Sequence, residues 1–238
     1  MTKPLPRGLV PSLVLACHPL PTAAMTVALT VAAALTGRPA EQCALVAGTV
    51  FTGQLSVGWL NDLLDRHRDA EVGRRDKPVA MGWIDPGTVA FAIAVAVLLV
   101  IPLSIANGTE AGLAHLGAVA SAWLYNVWFK RNVLSWLPYA VSFGLLPAFL
   151  SYGGLGGGLH GGPPTIAMTV AAAALGIGIH FLNVLPDLVQ DHETGVRHLP
   201  LRIALRIGAP TLLWISTAWT TLAAAGVVVA GLTVGVTQ

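Results

Sequence analysis

The sequence predicts an all-α fold, a polytopic bundle of transmembrane helices in a single domain over residues 1–238. Its residues are 55% hydrophobic and 10% charged, with a mean hydropathy of +0.72, whereas soluble proteins carry roughly 25% charged residues. The apolar residues form continuous runs rich in Ala, Leu and Val, which excludes the alternating pattern of a membrane β-barrel. The composition also excludes a disordered chain, and a net charge of +2 gives no basic surface for nucleic acid.

Seven apolar segments are long enough to cross a bilayer, which takes about 20 residues at about 1.5 Å per residue. The first follows Lys3 and Arg7 and is too long for the apolar core of a secretory signal peptide, and six more segments come after it. In order along the chain, the predicted spans are residues 12–36, 41–61, 86–106, 110–129, 132–152, 165–187 and 207–233.

The connections between these spans predict their orientation, because cytoplasmic loops carry an excess of Lys and Arg. Of the 13 Lys and Arg residues, all except Arg38 fall in the N-terminal tail or after the second, fourth and sixth spans. We therefore expect a multi-pass protein of a bacterial cell membrane with a cytoplasmic N-terminus. The glycine-rich connection at 152–162 falls on the opposite side, contains no Lys or Arg, and is interpreted as a flexible linker.

The first of two acidic clusters lies at the end of the second span, in the string NDLLDRHRDAEVGRRDKP at 61–78. Asp62, Asp65 and Asp69 are spaced i, i+3 and i+7, so a helix that continued through them would place all three carboxylates on one face. Like charges on one helix face repel each other. The cluster therefore needs a compensating cation.

The second acidic cluster follows the sixth span, where Asp187 and Asp191 are spaced i, i+4 in NVLPDLVQDHETG. Placing carboxylates at a membrane boundary costs free energy, so such residues are candidates for function. Their oxygen atoms are suitable ligands for Mg²⁺. Solvated helix ends are the simpler alternative. Basic residues follow both clusters, however, and carboxylates beside cations are suited to a metal-bound diphosphate. These basic residues are Arg74, Arg75 and Lys77 after the first cluster, and Arg197 and Arg202 after the second.

Together these motifs resemble those of the UbiA superfamily of intramembrane prenyltransferases. That family carries Asn-Asp-x-x-Asp-x-x-x-Asp after its second transmembrane helix, which residues 61–69 match, and Asp-x-x-x-Asp after its sixth, which residues 187–191 match. A Tyr followed by Lys-Arg after the fourth helix is similar to Tyr125 with Lys130 and Arg131. The motifs occur in the order that the family shows.

The resemblance implies a helical bundle around a central cavity, where Mg²⁺ joins the Asp motifs to a polyprenyl diphosphate on the cytoplasmic side. It implies Mg²⁺ binding by Asn61, Asp62, Asp65, Asp69, Asp187 and Asp191, with Asp62, Asp65, Asp187 and Asp191 as the catalytic set. It implies diphosphate contacts from Lys130, Arg131, Arg75 and Lys77. Tyr125 and Asn183 are candidates for stabilising an allylic cation or for binding the acceptor.

The sequence departs from the family pattern in two ways. His18-Pro19 and Lys77-Pro78 stand where many members have Arg-Pro, and we interpret His18 as a helix residue satisfied by a neighbour. Seven predicted helices replace the nine of the family, so we expect either a shortened bundle or a homo-oligomer to enclose the cavity. We attribute Gly176 and Gly178 to an alanine-rich composition, not to close helix packing.

The expected function is Mg²⁺-dependent transfer of a prenyl group, within the membrane, from a polyprenyl diphosphate to an aromatic or other lipophilic acceptor. A membrane terpene cyclase, in which a double bond of the substrate captures the cation, is the nearest alternative, and phosphoribosyl transfer to a polyprenyl phosphate is another. A transporter or cation channel is disfavoured, because transporter sites lie near the bilayer midplane and both acidic clusters lie at the predicted cytoplasmic ends of spans.

Overall fold

The structure is a computed structural model that describes residues 8–153 and 162–233. Lys3, Arg7 and most of the glycine-rich connection at 152–162 lie outside the described residues. The described residues form ten α-helices and two 3-10 turns, which divide into two compact units, Met1–Leu103 and Ser104–Gln238. The helices are α1 (Leu9–Ala16), α2 (Pro19–Leu35), α3 (Ala40–Glu71), α4 (Pro86–Ala106), α5 (Thr109–Val127), α6 (Trp136–Tyr152), α7 (Ile166–Val184), α8 (Leu188–Glu193), α9 (Leu199–Ile207) and α10 (Ala209–Thr233).

The all-helical fold is confirmed, whereas the count of seven spans stays a prediction. Among the described helices, four segments are long and apolar enough to cross a membrane: α3, α4, the stretch from α7 through α8, and α10. The bent pair of α1 and α2 would make a fifth. The remaining predicted spans correspond to α5, which begins with a polar turn containing Glu110, and to α6, which has only 17 residues.

The first predicted span, 12–36, is wrong as a single helix. Helices α1 and α2 meet at a 66° bend, and His18 at the bend has φ 57° and ψ 72°, the left-handed region that non-glycine residues seldom adopt. Pro19 begins α2 and, having no N–H, could not continue the hydrogen bonding of α1. His18 is therefore a hinge residue between two helices, and the interpretation of it as a helix residue is also wrong.

The bend packs directly on α3. A Cβ atom on Gly58 would lie within 2.6 Å of the Cys17 carbonyl carbon, so only glycine permits this approach. Trp59 donates its indole N–H to the Leu13 carbonyl at 2.8 Å, and Thr22 donates its hydroxyl to the Cys17 carbonyl at 2.8 Å. The Leu13 carbonyl also accepts the Cys17 N–H at 3.1 Å, so Trp59 adds a second donor there, whereas Thr22 satisfies a carbonyl just past the end of α1, where a helix leaves its carbonyls without helical partners.

In the second unit, α7 packs between α6 and α10 through two glycines. A Cβ atom on Gly176 would lie 2.5 Å from the Tyr139 carbonyl oxygen on α6, and one on Gly178 would overlap the Thr220 hydroxyl on α10. Small residues that let helices approach closely are a main source of association between membrane helices. The attribution of these glycines to composition is therefore wrong.

Candidate functional site

The first acidic motif lies on the last three turns of α3, which runs ten residues past the predicted span and ends at Glu71. The predicted common face is confirmed: Asp62, Asp65 and Asp69 are 0%, 5% and 2% exposed, whereas Leu64 between them is 41% exposed. Aspartates are almost never this buried unless they are paired. This end of α3 thus turns its carboxylates inward and an apolar side chain outward.

Lys77 is a buried cation beside Asp62. Its Nζ lies 3.6 Å from Asp62 Oδ1, 3.4 Å from Asn61 Oδ1 and 3.0 Å from His18 Nε2, and the side chain is buried. An ammonium group can only donate hydrogen bonds, so His18 Nε2 accepts here and the ring proton sits on Nδ1. The hinge between α1 and α2 is thereby joined to the acidic motif through Lys77.

Two further groups of the first unit contact this motif. The Val79 N–H donates to Asp62 Oδ2 at 3.2 Å, and Arg68 Nη2 lies 3.6 Å from Asp65 Oδ2. Asp62 Oδ1 is buried and, in the part of the chain that the structure describes, accepts no hydrogen bond. A buried carboxylate oxygen of this kind is suited to a hard cation.

The residues present therefore fit Mg²⁺, although they do not form a complete cage. In residues 8–153 and 162–233, no three His, Cys, Asp or Glu side chains converge on one metal position. Mg²⁺ does not require such a cage, because it is usually held by one or two carboxylates together with water and substrate phosphates.

The loop after α3 carries four consecutive charged residues at 74–77. Asp76 is exposed and accepts hydrogen bonds from Arg74 Nε and Nη2 at 3.0 and 3.1 Å, and these bonds hold the pKa of Asp76 below its ordinary value. Arg75, a predicted diphosphate contact, is exposed, whereas Lys77 is buried against the motif. The two predicted cations of this loop thus lie in different environments.

The second acidic motif spans a junction, not a continuous helix. Helix α7 ends at Val184, and Asp187 closes a 3-10 turn, Leu185–Asp187, before α8 begins. Pro186 in that turn has no N–H to donate. Asp187 is half-buried and Asp191 is 5% exposed, so the two carboxylates of this motif differ in burial.

Asp191 has a buried partner that the sequence analysis missed. His198 Nε2 lies 2.8 Å from Asp191 Oδ2, and His198 is 1% exposed. Its Nδ1 accepts the Leu201 N–H at 3.1 Å, so the same ring caps the N-terminus of α9. Pro200 in the first turn of α9 is a helix-start signal, but histidine is not among the usual N-cap residues, so the sequence does not mark position 198 as the cap.

The predicted diphosphate contacts of the second unit lie on a 3-10 turn, Phe129–Arg131, after α5. Lys130 is half-buried and Arg131 is exposed. The Arg197 N–H donates to the Arg131 carbonyl at 3.4 Å. This bond connects the turn to the loop that follows the second acidic motif, so both basic segments of this unit are adjacent.

Tyr125 belongs to a cluster of rings on α5, α6 and α7. Its ring meets that of Tyr139 edge-on at a centroid distance of 5.0 Å, and that of His180 at 5.6 Å. Asn183 is exposed and donates its amide to the Tyr139 hydroxyl at 3.3 Å. The sequence-predicted Tyr125 and Asn183 are therefore linked through Tyr139.

The sequence identifies the family. Residues 21–237 match the profile of the UbiA prenyltransferase family. The chain belongs to the UbiA prenyltransferase family. Its fold is similar to that of a UbiA homolog from Archaeoglobus fulgidus bound to GPP and Mg²⁺, with a TM-score of 0.71, 15% identity, and coverage of 90% of this chain and 76% of that one. The DMAPP and Mg²⁺ complex of such a homolog gives a TM-score of 0.70 at 18% identity, over 90% of this chain and 76% of that chain.

A sequence relative in the UbiA family has a named activity. The chain is 30% identical over 122 residues to the protoheme IX farnesyltransferase of Methylococcus capsulatus. The match covers 47% of this chain and 41% of that relative. The chain thus spans less than half of the length of the curated relative it matches.

Proposed function

We propose that this UbiA-family protein transfers a prenyl group, in a Mg²⁺-dependent reaction within the membrane, from an isoprenyl diphosphate to a lipophilic acceptor. The observation that carries the proposal is the burial of Asp62, Asp65 and Asp69 on one face of α3, with an Asp62 oxygen that accepts no hydrogen bond among the described residues. Burying ionised carboxylates costs folding free energy unless cations or hydrogen-bond donors compensate. Buried carboxylates near a membrane are therefore candidates for a functional role such as metal binding.

In this proposal each acidic motif binds Mg²⁺, the first through Asn61, Asp62, Asp65 and Asp69 and the second through Asp187 and Asp191. When bound, Mg²⁺ supplies positive charge that stabilises the diphosphate as it leaves the allylic carbon. The GPP and DMAPP complexes of the Archaeoglobus homolog, which also contain Mg²⁺, support a donor of this chemical class.

We assign binding of the diphosphate to Lys and Arg side chains of the chain. Lys130 and Arg131 hold the phosphate oxygens, since charge-assisted hydrogen bonds to an oxyanion are about twice as strong as neutral ones. Arg75 is exposed and joins them as a diphosphate contact. Lys77 contacts the diphosphate from its position beside Asp62, so its ammonium serves both the carboxylate and the substrate.

We assign stabilisation of the allylic cation to the rings of Tyr125 and Tyr139. A ring face attracts a cation within about 6 Å of its centroid, and an apolar wall keeps water away from the carbocation until the acceptor attacks. Asn183, which donates to the Tyr139 hydroxyl, orients that ring or the acceptor. The named activity of the Methylococcus relative is consistent with a farnesyl donor and a macrocyclic aromatic acceptor.

In this proposal the reaction occurs at the cytoplasmic side of a bacterial cell membrane. The basic residues after the second, fourth and sixth predicted spans support this orientation. Fusing a reporter enzyme after Thr233 and, in a second protein, within the connection at 154–161 tests it, because both fusions should report the side of the membrane opposite the cytoplasm if seven spans are present and the N-terminus is cytoplasmic.

The product spectrum tests the proposed reaction. Purified protein in detergent is incubated with Mg²⁺ and with dimethylallyl, geranyl, farnesyl or geranylgeranyl diphosphate, each with and without a panel of lipophilic aromatic acceptors. We expect diphosphate release that depends on an acceptor and yields a prenylated product. A cyclic hydrocarbon formed without acceptor would replace the transferase proposal with a terpene cyclase, and no turnover with any diphosphate would contradict both.

A further inference from the structure

His198 lies between α8 and α9 with both ring nitrogens engaged. Nδ1 accepts the backbone N–H of Leu201 at 3.1 Å, and Nε2 lies 2.8 Å from Asp191 Oδ2. The ring is 1% exposed. A ring nitrogen that accepts a backbone N–H carries no proton, so the imidazole is neutral and its proton is on Nε2. Nε2–H is therefore the donor to Asp191.

The surroundings keep this ring in place. On one side, the turn Leu199–Leu201 at the start of α9 fixes Nδ1. On the other side, the His180 ring packs edge-on at a centroid distance of 6.5 Å, and His180 Nε2 lies 3.0 Å from Ser135 Oγ. The ring is thus held by α9 and by α7.

Asp191 depends on contacts of this kind, because its own helix is short. Helix α8 has six residues, and a helix of that length has little stability by itself. The orientation of the Asp191 carboxylate is consequently set by what it touches outside α8. The outer partners of metal-binding carboxylates are hydrogen-bonded groups that fix the ligand's orientation.

We propose that His198 is a positioning residue, which donates Nε2–H to Asp191 and so holds that carboxylate in the orientation in which it binds Mg²⁺. The inference rests on the proposed function, since it takes Asp191 as a metal ligand. His198 does not touch the metal or the substrate in this account, and it acts through Asp191 alone.

The two nitrogens of His198 can be tested separately. In His198→Asn the side-chain oxygen replaces Nδ1 as the cap of α9, but the shorter side chain cannot reach Asp191. In His198→Gln the longer amide reaches Asp191 with an N–H donor, but the cap is lost. Mn²⁺ binding to each purified variant is measured by electron paramagnetic resonance in the absence of diphosphate, with unfolding temperatures measured in Mg²⁺-free detergent and Asp191→Asn as the reference.

We expect His198→Asn to unfold at the wild-type temperature and to bind Mn²⁺ about 10- to 100-fold more weakly, the usual effect of losing an outer partner of a ligand. We expect His198→Gln to keep Mn²⁺ affinity within about threefold and to unfold at a lower temperature because α9 has lost its cap. The Mg²⁺ concentration for half-maximal diphosphate release should rise in His198→Asn by the same factor.

Wild-type Mn²⁺ affinity in His198→Asn would overturn the inference. Equal loss of affinity in both variants would also overturn it, because His198 would then act only through the folding of α9. If wild-type protein binds Mn²⁺ and Asp191→Asn does not, either result leaves the proposed function standing. If the wild-type protein itself binds no Mn²⁺, the proposed function fails together with this inference.

Discussion

Asp69 and Asp191 occupy equivalent positions in two equivalent helix ends. The carbonyl of each accepts a hydrogen bond, 2.9 Å long in both cases, from the residue five positions later. A glycine with positive φ precedes that donor, Gly73 at 71° and Gly195 at 76°. Both ends read Asp-x-Glu-x-Gly, and both have the hydrogen bonds of a Schellman motif. Each acidic motif therefore ends with the same chain reversal, followed by basic residues.

This equivalence predicts that Gly195 is required for its backbone conformation. Gly195→Val should lower the unfolding temperature and weaken Mg²⁺-dependent turnover, because a β-branched residue is strained at φ 76°. Gly195→Asn is the matched control, since asparagine tolerates the left-handed region. Thermal unfolding in detergent and diphosphate release measure both effects, and a Val variant equal to the Asn variant would contradict the prediction.

Removing Lys77 should destabilise the protein, because the carboxylate of Asp62 is buried. Lys77→Met removes the ammonium that lies 3.6 Å from Asp62 Oδ1, and breaking a buried ion pair by removing one partner typically costs about 3–5 kcal/mol. We expect a lower unfolding temperature in Mg²⁺-free detergent and a larger stabilisation by added Mg²⁺ than in wild type, because the metal then supplies the missing charge. Lys77→Arg keeps the charge and should lie close to wild type.

Two results would contradict this prediction. A Lys77→Met protein as stable as wild type without Mg²⁺ would show that Asp62 does not depend on Lys77 for charge compensation. If Mg²⁺ stabilised both proteins equally, Mg²⁺ would not be compensating the charge of Asp62.

The close approach of Gly58 to the hinge at His18 predicts a position-specific effect of alanine. Gly58→Ala should destabilise the first unit, since the new Cβ would lie within 2.6 Å of the Cys17 carbonyl carbon. Gly48→Ala on the same helix meets nothing within 4 Å and should be neutral or stabilising, because alanine favours a helix by about 1 kcal/mol over glycine. Comparable thermal unfolding of the two variants would count against the packing described at the hinge.

The sequence predicted the helical fold and the first acidic face well, because hydropathy and the i, i+3, i+7 spacing are local signals. It did not reveal the hinge at His18, since the apolar run continues through it, and only Pro19 signals a break. The roles of Gly58 and Gly176 depend on which backbone segment packs against each glycine. The residues next to them in the sequence do not show this. The contact of His198 with Asp191 depends on the chain reversal at Gly195, so spacing alone could not find it.

Diphosphate release by Asp62→Asn tests most directly whether buried aspartates of the acidic motifs hold Mg²⁺ for release of diphosphate. Asp76→Asn, in the loop after the same motif, is the matched control because Asp76 is exposed and bound to Arg74. We predict that Asp62→Asn remains folded and loses Mg²⁺-dependent release from an isoprenyl diphosphate, whereas Asp76→Asn retains it. Wild-type release by folded Asp62→Asn, or release by the wild-type protein that persists in excess chelator, would contradict the account.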